Sequence, residues 1–73
     1  MPLALTPTIT VGDQLAEIFQ AHRRLGRNQA RAAAVRALST VLPDADRVAQ
    51  SYPFQLSGGM AQRVVIAMAI ALD

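Results

Sequence analysis

The apolar residues fall into blocks separated by prolines and glycines, and most of the blocks repeat with helical spacing. Val11, Leu15, Ile18, Phe19 and His22 stand at i, i+4, i+7, i+8 and i+11, which places them on one face of an α-helix. This predicts a first helix from Val11 to about His22. Thr10 is its N-cap, with Asp13 three residues on in an approximate capping box. Arg23 and Arg24 suit the negative pole at its end, and Gly26 is the expected stop. A second helix is predicted from Arg27 or Asn28 to Leu42, capped by Gly26 or Asn28, with Gln29 three residues after Gly26. Its stripe is Ala30, Ala34, Leu38, Val41 and Leu42. Ala32, Ala33, Ala34 and Ala37 raise its helix propensity, and Pro43 stops it.

A short third helix is expected over Asp44 to Ser51, with Asp44 and Asp46 in the acid-favouring first turn. Pro53 ends it, and Phe54 to Leu56 form a connector. The fourth helix starts at Ser57 as N-cap, passes through Gly58 and Gly59, and meets no breaker from Met60 to Leu72. From Val64 to Leu72 nine consecutive residues are apolar, against about 20 needed to span a bilayer. A helix hydrophobic on every side belongs inside a larger core. Three short amphipathic partners cannot wrap it completely. Asp73 then follows without a cap or polar tail, as if the domain continued. Ahead of the first helix, Met1 to Thr10 reads as extended or turn-like, because Pro2 and Pro7 hold their predecessors out of the helical region. Met1 to Gly12 has no basic start or unbroken apolar run of the targeting type. The expected fold is all-α, a bundle of three or four helices.

Composition narrows the chemistry. The chain has 73 residues, 52% of them hydrophobic, too apolar for disorder. Yet chains below roughly 70–80 residues seldom stand without a staple, and there is no cysteine to supply one. The result is a marginal bundle or a piece that leans on something larger. Lysine is absent, which excludes a P-loop lysine, a Schiff base and a lysine general base. The lack of cysteine excludes a disulfide framework, thiolate zinc ligands and a thiol nucleophile. One histidine and five scattered carboxylates argue against a structural metal site. All seven basic residues are arginine, and five of them cluster between Arg23 and Arg36. A pI near 10.5 suits nucleic acid, but the net charge is only +2 and no aromatics interleave the cluster. The cluster is therefore read as a solvated helix face, with no nucleic-acid partner. His22 is expected to be a partly buried core residue, Met60 and Met68 packing residues, and Phe19, Tyr52 and Phe54 core or edge aromatics.

The residues with chemical promise are Ser57, Gly58 and Gly59. They place a hydroxyl and unobstructed N–H groups at a helix N-terminus, which carries about half a positive charge and accepts anions. Glycine lets an oxyanion approach the backbone where a Cβ would stand in the way. A phosphate suits this geometry best, although a plain capped helix start has the same local sequence. Ser57 is not a hydrolase nucleophile of the elbow type, which wants glycine two positions earlier; that position is Gln55.

The longer string Tyr52-Pro53-Phe54-Gln55-Leu56-Ser57-Gly58-Gly59-Met60, continuing through Gln62-Arg63-Val64 and Ile66-Ala67-Met68-Ala69, resembles the signature motif of ATP-binding cassette (ABC) transporter ATPases. Met60 and the Tyr52-Pro53 lead-in are similar to the branch that imports peptides and nickel. Leu5-Thr6-Pro7 and Thr10-Val11-Gly12-Asp13-Gln14 are similar to the stretch just beyond the Q-loop in that branch, so the resemblance covers nearly the whole chain. It implies that residues 1–73 are the helical subdomain of an α/β P-loop ATPase domain, with no second domain. It also implies that Ser57, Gly58, Gly59, Met60 and Gln62 meet the γ-phosphate of ATP held mainly by a second ATPase subunit across a dimer interface. Ser57 would bond through its hydroxyl and Gly59 through its N–H, while Gln62 and Arg63 lend support from behind. Ala61 departs from the family, where that place is often basic, at the expense of a surface charge.

The same resemblance implies transmembrane permease subunits as partners, docked near Leu5 to Phe19, and a peripheral place on the cytoplasmic face of the membrane. This chain carries no Gly-rich P-loop, no Asp-Glu pair after a hydrophobic strand and no later switch histidine. The Mg-ATP would be held mainly by residues outside it, and alone it is expected not to hydrolyse ATP. The alternative reading is a free-standing helical interaction protein, or a decayed remnant, without ATPase activity.

Overall fold

The computed structural model describes residues 8–72. Its helices are α1 (Val11–Arg23), α2 (Arg27–Ser39), α3 (Ala45–Ala49) and α4 (Gly58–Leu72), with a 3₁₀ turn over Pro53–Gln55 ahead of α4. Among the described residues there is no strand, so the chain is all-α, as expected. The stretch Met1 to Pro7, expected to be extended, and Asp73 lie outside the described residues.

Thr10 caps α1 from an extended conformation (φ −61°, ψ 154°), its Oγ1 accepting from the Asp13 N–H at 3.3 Å. The Asp13 carboxylate in turn accepts from Arg31 of α2. The end of α1 differs from expectation. Arg24, not Gly26, takes the left-handed conformation (φ 55°, ψ 38°), and its N–H closes on the Gln20 carbonyl at 3.1 Å. Gly26 is extended (φ −66°, ψ 165°) and caps α2, its N–H donating to Gln29 Oε1 at 3.2 Å. A glycine that must be extended to start one helix cannot also be the reversal that ends the previous one, so the reversal falls on Arg24.

Helix α2 stops at Ser39, three residues before the expected end at Leu42. Ser39 Oγ donates to the Arg36 carbonyl and Thr40 Oγ1 to the Ala37 carbonyl, both at 2.7 Å. These hydroxyls compete with the helical ladder, and Pro43 disfavours helical geometry at Leu42. Helix α3 is likewise shorter than the expected Asp44–Ser51. It ends at Ala49, where Gln50 and Ser51 close with tighter bonds to Arg47 and Val48. Pro53 therefore begins the following turn instead of ending α3.

The core sits between α1, α2 and α4, with α3 against α1 and α2. Leu15, Leu38, Val11 and Val64 are its largest fully buried side chains. Alanines fill the remaining contact faces, among them Ala30 and Ala34 of α2 and Ala67 and Ala71 of α4, and small side chains let the helices approach closely. The tightest approach is at Gly12, where an added Cβ would lie 2.8 Å from the Ala49 carbonyl oxygen. Beside it the Val11 N–H donates to the Ser51 carbonyl at 2.9 Å. Gln14 is a buried polar residue, its Nε2 donating to the Ile9 carbonyl at 2.8 Å.

Helix α4 buries Val64, Ala67, Met68 and Ala71 on one face, while Ile66 and Ile70 on the other are each 46% exposed. The bundle thus covers one side of the apolar stretch from Val64 to Leu72, as the pattern implied. His22 corrects an expectation: it is exposed. It lies in the last turn of α1 and lines a shallow cleft with Ile18 and Leu72. The apolar stripe runs one turn farther than the elements that cover it. Among the described residues no helix is long and apolar enough to cross a membrane.

Candidate functional site

The site begins in the turn before α4. Pro53, with its fixed φ and no N–H, opens a 3₁₀ turn. The turn is closed by Gln55 N–H to Tyr52 O at 2.9 Å, by Leu56 N–H to Pro53 O at 3.1 Å, and by Tyr52 N–H to Gln55 Oε1 at 2.9 Å. Leu56 and Met60 are half-buried and pack against the core, pinning the chain on both sides of Ser57. Ser57, Gly58, Gly59 and Gln62 are exposed. The structure thus brings the five sequence-predicted residues together at one helix end, four facing outward and Met60 inward.

Ser57 Oγ accepts from the Met60 N–H at 3.2 Å, the N-cap bond expected of serine. Its hydroxyl proton is left for another acceptor. The first intrahelical bond is Ala61 N–H to Ser57 O at 2.9 Å. The Gly58 and Gly59 N–H groups precede it and have no acceptor within the helix. A Cβ built on either glycine meets no atom within 4 Å. Packing within the described residues therefore requires glycine at position 12 and not at 58 or 59. One hydroxyl and two amides are thus left open at the positive pole of a helix of 15 residues, an arrangement chemically suited to an anion. From Arg47 to Leu72 the sequence has no carboxylate, so no acid in this stretch repels an anion.

Arg63 Nη1 lies 3.4 Å from the Val41 carbonyl, joining the start of α4 to the turn after α2. The aromatics divide: Phe19 is core, with the Arg23 guanidinium 5.5 Å above its ring, whereas Tyr52 and Phe54 lie at the surface. Their rings stack at 5.9 Å with an interplanar angle of 14°, and Phe54 is 77% exposed. Composition alone could not separate these from core aromatics; the Pro53 between them is the only sequence sign that both sit on a turn.

Two clefts share Asp13 and Arg31, one of about 150 Å³ between α1, α2 and α3 and one of about 320 Å³ along α1 and α2. Neither includes a residue of the 57–62 stretch. The hydrogen bond from Arg31 holds the Asp13 carboxyl below its ordinary 3.8, outweighing the opposite effect of partial burial, and the Thr10 hydroxyl and nearby arginine charges add to it. This pair ties α1 to α2 and serves the fold.

The family model described as ABC transporter matches residues 3–73. The chain belongs to the ABC transporter family. Its relatives in that family include the glutathione import ATP-binding protein GsiA of Pectobacterium atrosepticum, 49% identical over 69 residues, which is 93% of this chain and 11% of that protein. The dipeptide transport ATP-binding protein DppD of Bacillus subtilis is 48% identical over 71 residues, 96% of this chain and 21% of that protein. A putative peptide import ATP-binding protein of Brucella abortus is 50% identical over 68 residues, 92% of this chain and 20% of its own length. The chain thus spans between 11% and 21% of these relatives.

Proposed function

We propose that residues 1–73 act as the helical, signature-bearing part of the ATP-binding subunit of an ABC importer for peptides or related solutes. Ser57, Gly58, Gly59, Met60 and Gln62 complete an ATP site whose magnesium and remaining phosphate contacts belong to a second ATPase subunit. The Ser57 hydroxyl and the Gly59 N–H donate to the γ-phosphate, Gly58 leaves the approach clear, and Met60 holds the helix end against the core. Hydrolysis belongs to the assembled site and not to this chain alone. The subunit sits on the cytoplasmic side of the membrane through permease subunits. One observation carries the reading: two glycines that packing does not require stand beside a capping serine whose proton is free. The names of the relatives, all import or transport ATP-binding proteins, support the solute class.

The test separates capping from phosphate binding. In a complete subunit containing this segment, Ser57→Thr keeps both the cap and the donor and retains turnover. Ser57→Asp keeps the cap but replaces the donor with a negative charge. It should leave thermal stability unchanged while lowering ATP hydrolysis by roughly 10²–10³, the usual loss when a preorganised donor to developing charge is removed. Wild-type turnover in Ser57→Asp would end the assignment.

A further inference from the structure

The chain has three methionines and no cysteine, so every sulfur atom it holds is a thioether. Two of them stand eight residues apart on α4 and differ in access. Met68 faces the core and is 2% exposed. Met60 is half-buried, packed against the core with part of its surface in solvent. It also lies in the first turn of α4, where its N–H donates to Ser57 Oγ at 3.2 Å. The side chain that holds the helix start on the core and the amide that fixes the capping serine therefore belong to one residue. Its neighbours Ser57, Gly58, Gly59 and Gln62 are exposed, so a small reagent in solvent reaches this turn.

A thioether in reach of solvent is oxidised by hydroperoxides. The sulfur lone pair attacks one oxygen of hydrogen peroxide and the O–O bond breaks. The departing hydroxide takes the proton from the transferred oxygen and leaves as water, so sulfur is oxidised and peroxide reduced. The product is a sulfoxide, polar where the thioether was apolar. Against the core its oxygen lacks a donor, or the side chain turns outward and gives up its packing. Either way the hold on the start of α4 is weakened. We propose that Met60 is a reversible oxidation site at which hydroperoxide loosens the N-terminal end of α4 and lowers its affinity for phosphate. The effect on phosphate rests on the function proposed above; the place of oxidation does not. Met68 is spared by its burial for as long as the fold is intact.

Cleavage after arginine places Met60 in the peptide 48–63 and Met68 in 64–73, so mass spectrometry reads each sulfur separately. In the folded 73-residue chain under dilute hydrogen peroxide, 48–63 should gain one oxygen at least about tenfold faster than 64–73. The Gly58 and Gly59 amide signals should move as that oxygen is added. Tripolyphosphate binding followed at those amides should weaken about fivefold or more, and methionine sulfoxide reductase should reverse both changes. Met68→Leu should lose affinity on peroxide treatment as wild type does. Met60→Leu, compared with itself before and after treatment, should not change. Leucine closely matches methionine in volume, so neither variant threatens the fold. Equal oxidation rates in the two peptides overturn the proposal, as does loss of the helical circular dichroism together with affinity. An oxidised Met60 that leaves the glycine amides and the tripolyphosphate affinity unmoved also overturns it, with the phosphate reading intact. Glycine amides that never respond to tripolyphosphate, in a chain whose Met60 still oxidises first, overturn the phosphate reading and the proposed loss of affinity with it.

Discussion

Glycine serves opposite purposes at two places in this chain, and substituting alanine at each makes the difference measurable. At Gly12 an added Cβ would lie 2.8 Å from the Ala49 carbonyl oxygen and 2.9 Å from the Ala49 Cβ, against about 3.5–4.0 Å for comfortable carbon contacts. Both atoms belong to the rigid part of the chain, so α1 and α3 must move apart. The Val11 N–H to Ser51 O bond at 2.9 Å lies one residue away and is strained by the same movement. Overpacking of this kind costs about 1–3 kcal/mol, and the helix preference of alanine over glycine returns about 0.5–1 kcal/mol. The net loss is about 0–2.5 kcal/mol, or a fall in Tm of up to roughly 10–20 °C for a domain of this size. At Gly58 the added Cβ meets nothing, so Gly58→Ala should be neutral or gain up to about 1 kcal/mol. Thermal and urea unfolding followed by helical circular dichroism compares the two, with trimethylamine oxide added to lengthen the native baseline. If Gly12→Ala matched or exceeded the wild-type Tm while Gly58→Ala fell below it, the division into packing glycine and open glycine would be wrong.

Three further outcomes follow from the same structure. Arg31 lowers the Asp13 pKa in the folded state, so this pair stabilises fully above the ordinary carboxylate range and is lost as pH falls through the lowered value. Asp13→Asn should therefore cost at most about 1 kcal/mol near neutral pH, since both side chains are largely exposed, and the gap to wild type should close in acid unfolding curves. Arg24→Gly relieves a left-handed residue and should raise Tm, by about 1 kcal/mol of stability, in the same melts. Ile66→Glu with Ile70→Glu alters only the exposed side of α4. It should change stability by less than about 0.5 kcal/mol per site and reduce self-association by sedimentation velocity; unchanged self-association would place the sticky surface elsewhere.

The helix starts were legible because capping is local chemistry. Thr10 and Ser57 announce themselves by a hydroxyl three residues before an N–H, and both make that bond. Helix ends were harder. Ser39 and Thr40 terminate α2 by bonding back to their own helix, a choice that hydrophobic spacing does not record. Arg24 ends α1 because Gly26 is committed to starting α2, a conflict visible only once both helices are placed. His22 lies on the correct stripe and is exposed, an outcome that spacing along one helix does not decide. The candidate site residues were singled out through the longer motif, since Ser57-Gly58-Gly59 alone is also an ordinary helix start. What the sequence did not carry was the contrast among glycines, packed at position 12 and open at 58 and 59, and the exposure of Phe54. Both depend on what lies across space from a residue and not on its neighbours along the chain.

The most direct test of the central claim is an amide shift map of the whole chain titrated with inorganic tripolyphosphate. If the α4 N-terminus is the anion-receiving surface, the Gly58 and Gly59 amides shift first, saturably, and Ser57→Asp abolishes their response while the cap persists. Shifts confined to the arginine-rich stretch from Arg23 to Arg36, with Gly58 and Gly59 unmoved, would contradict the account.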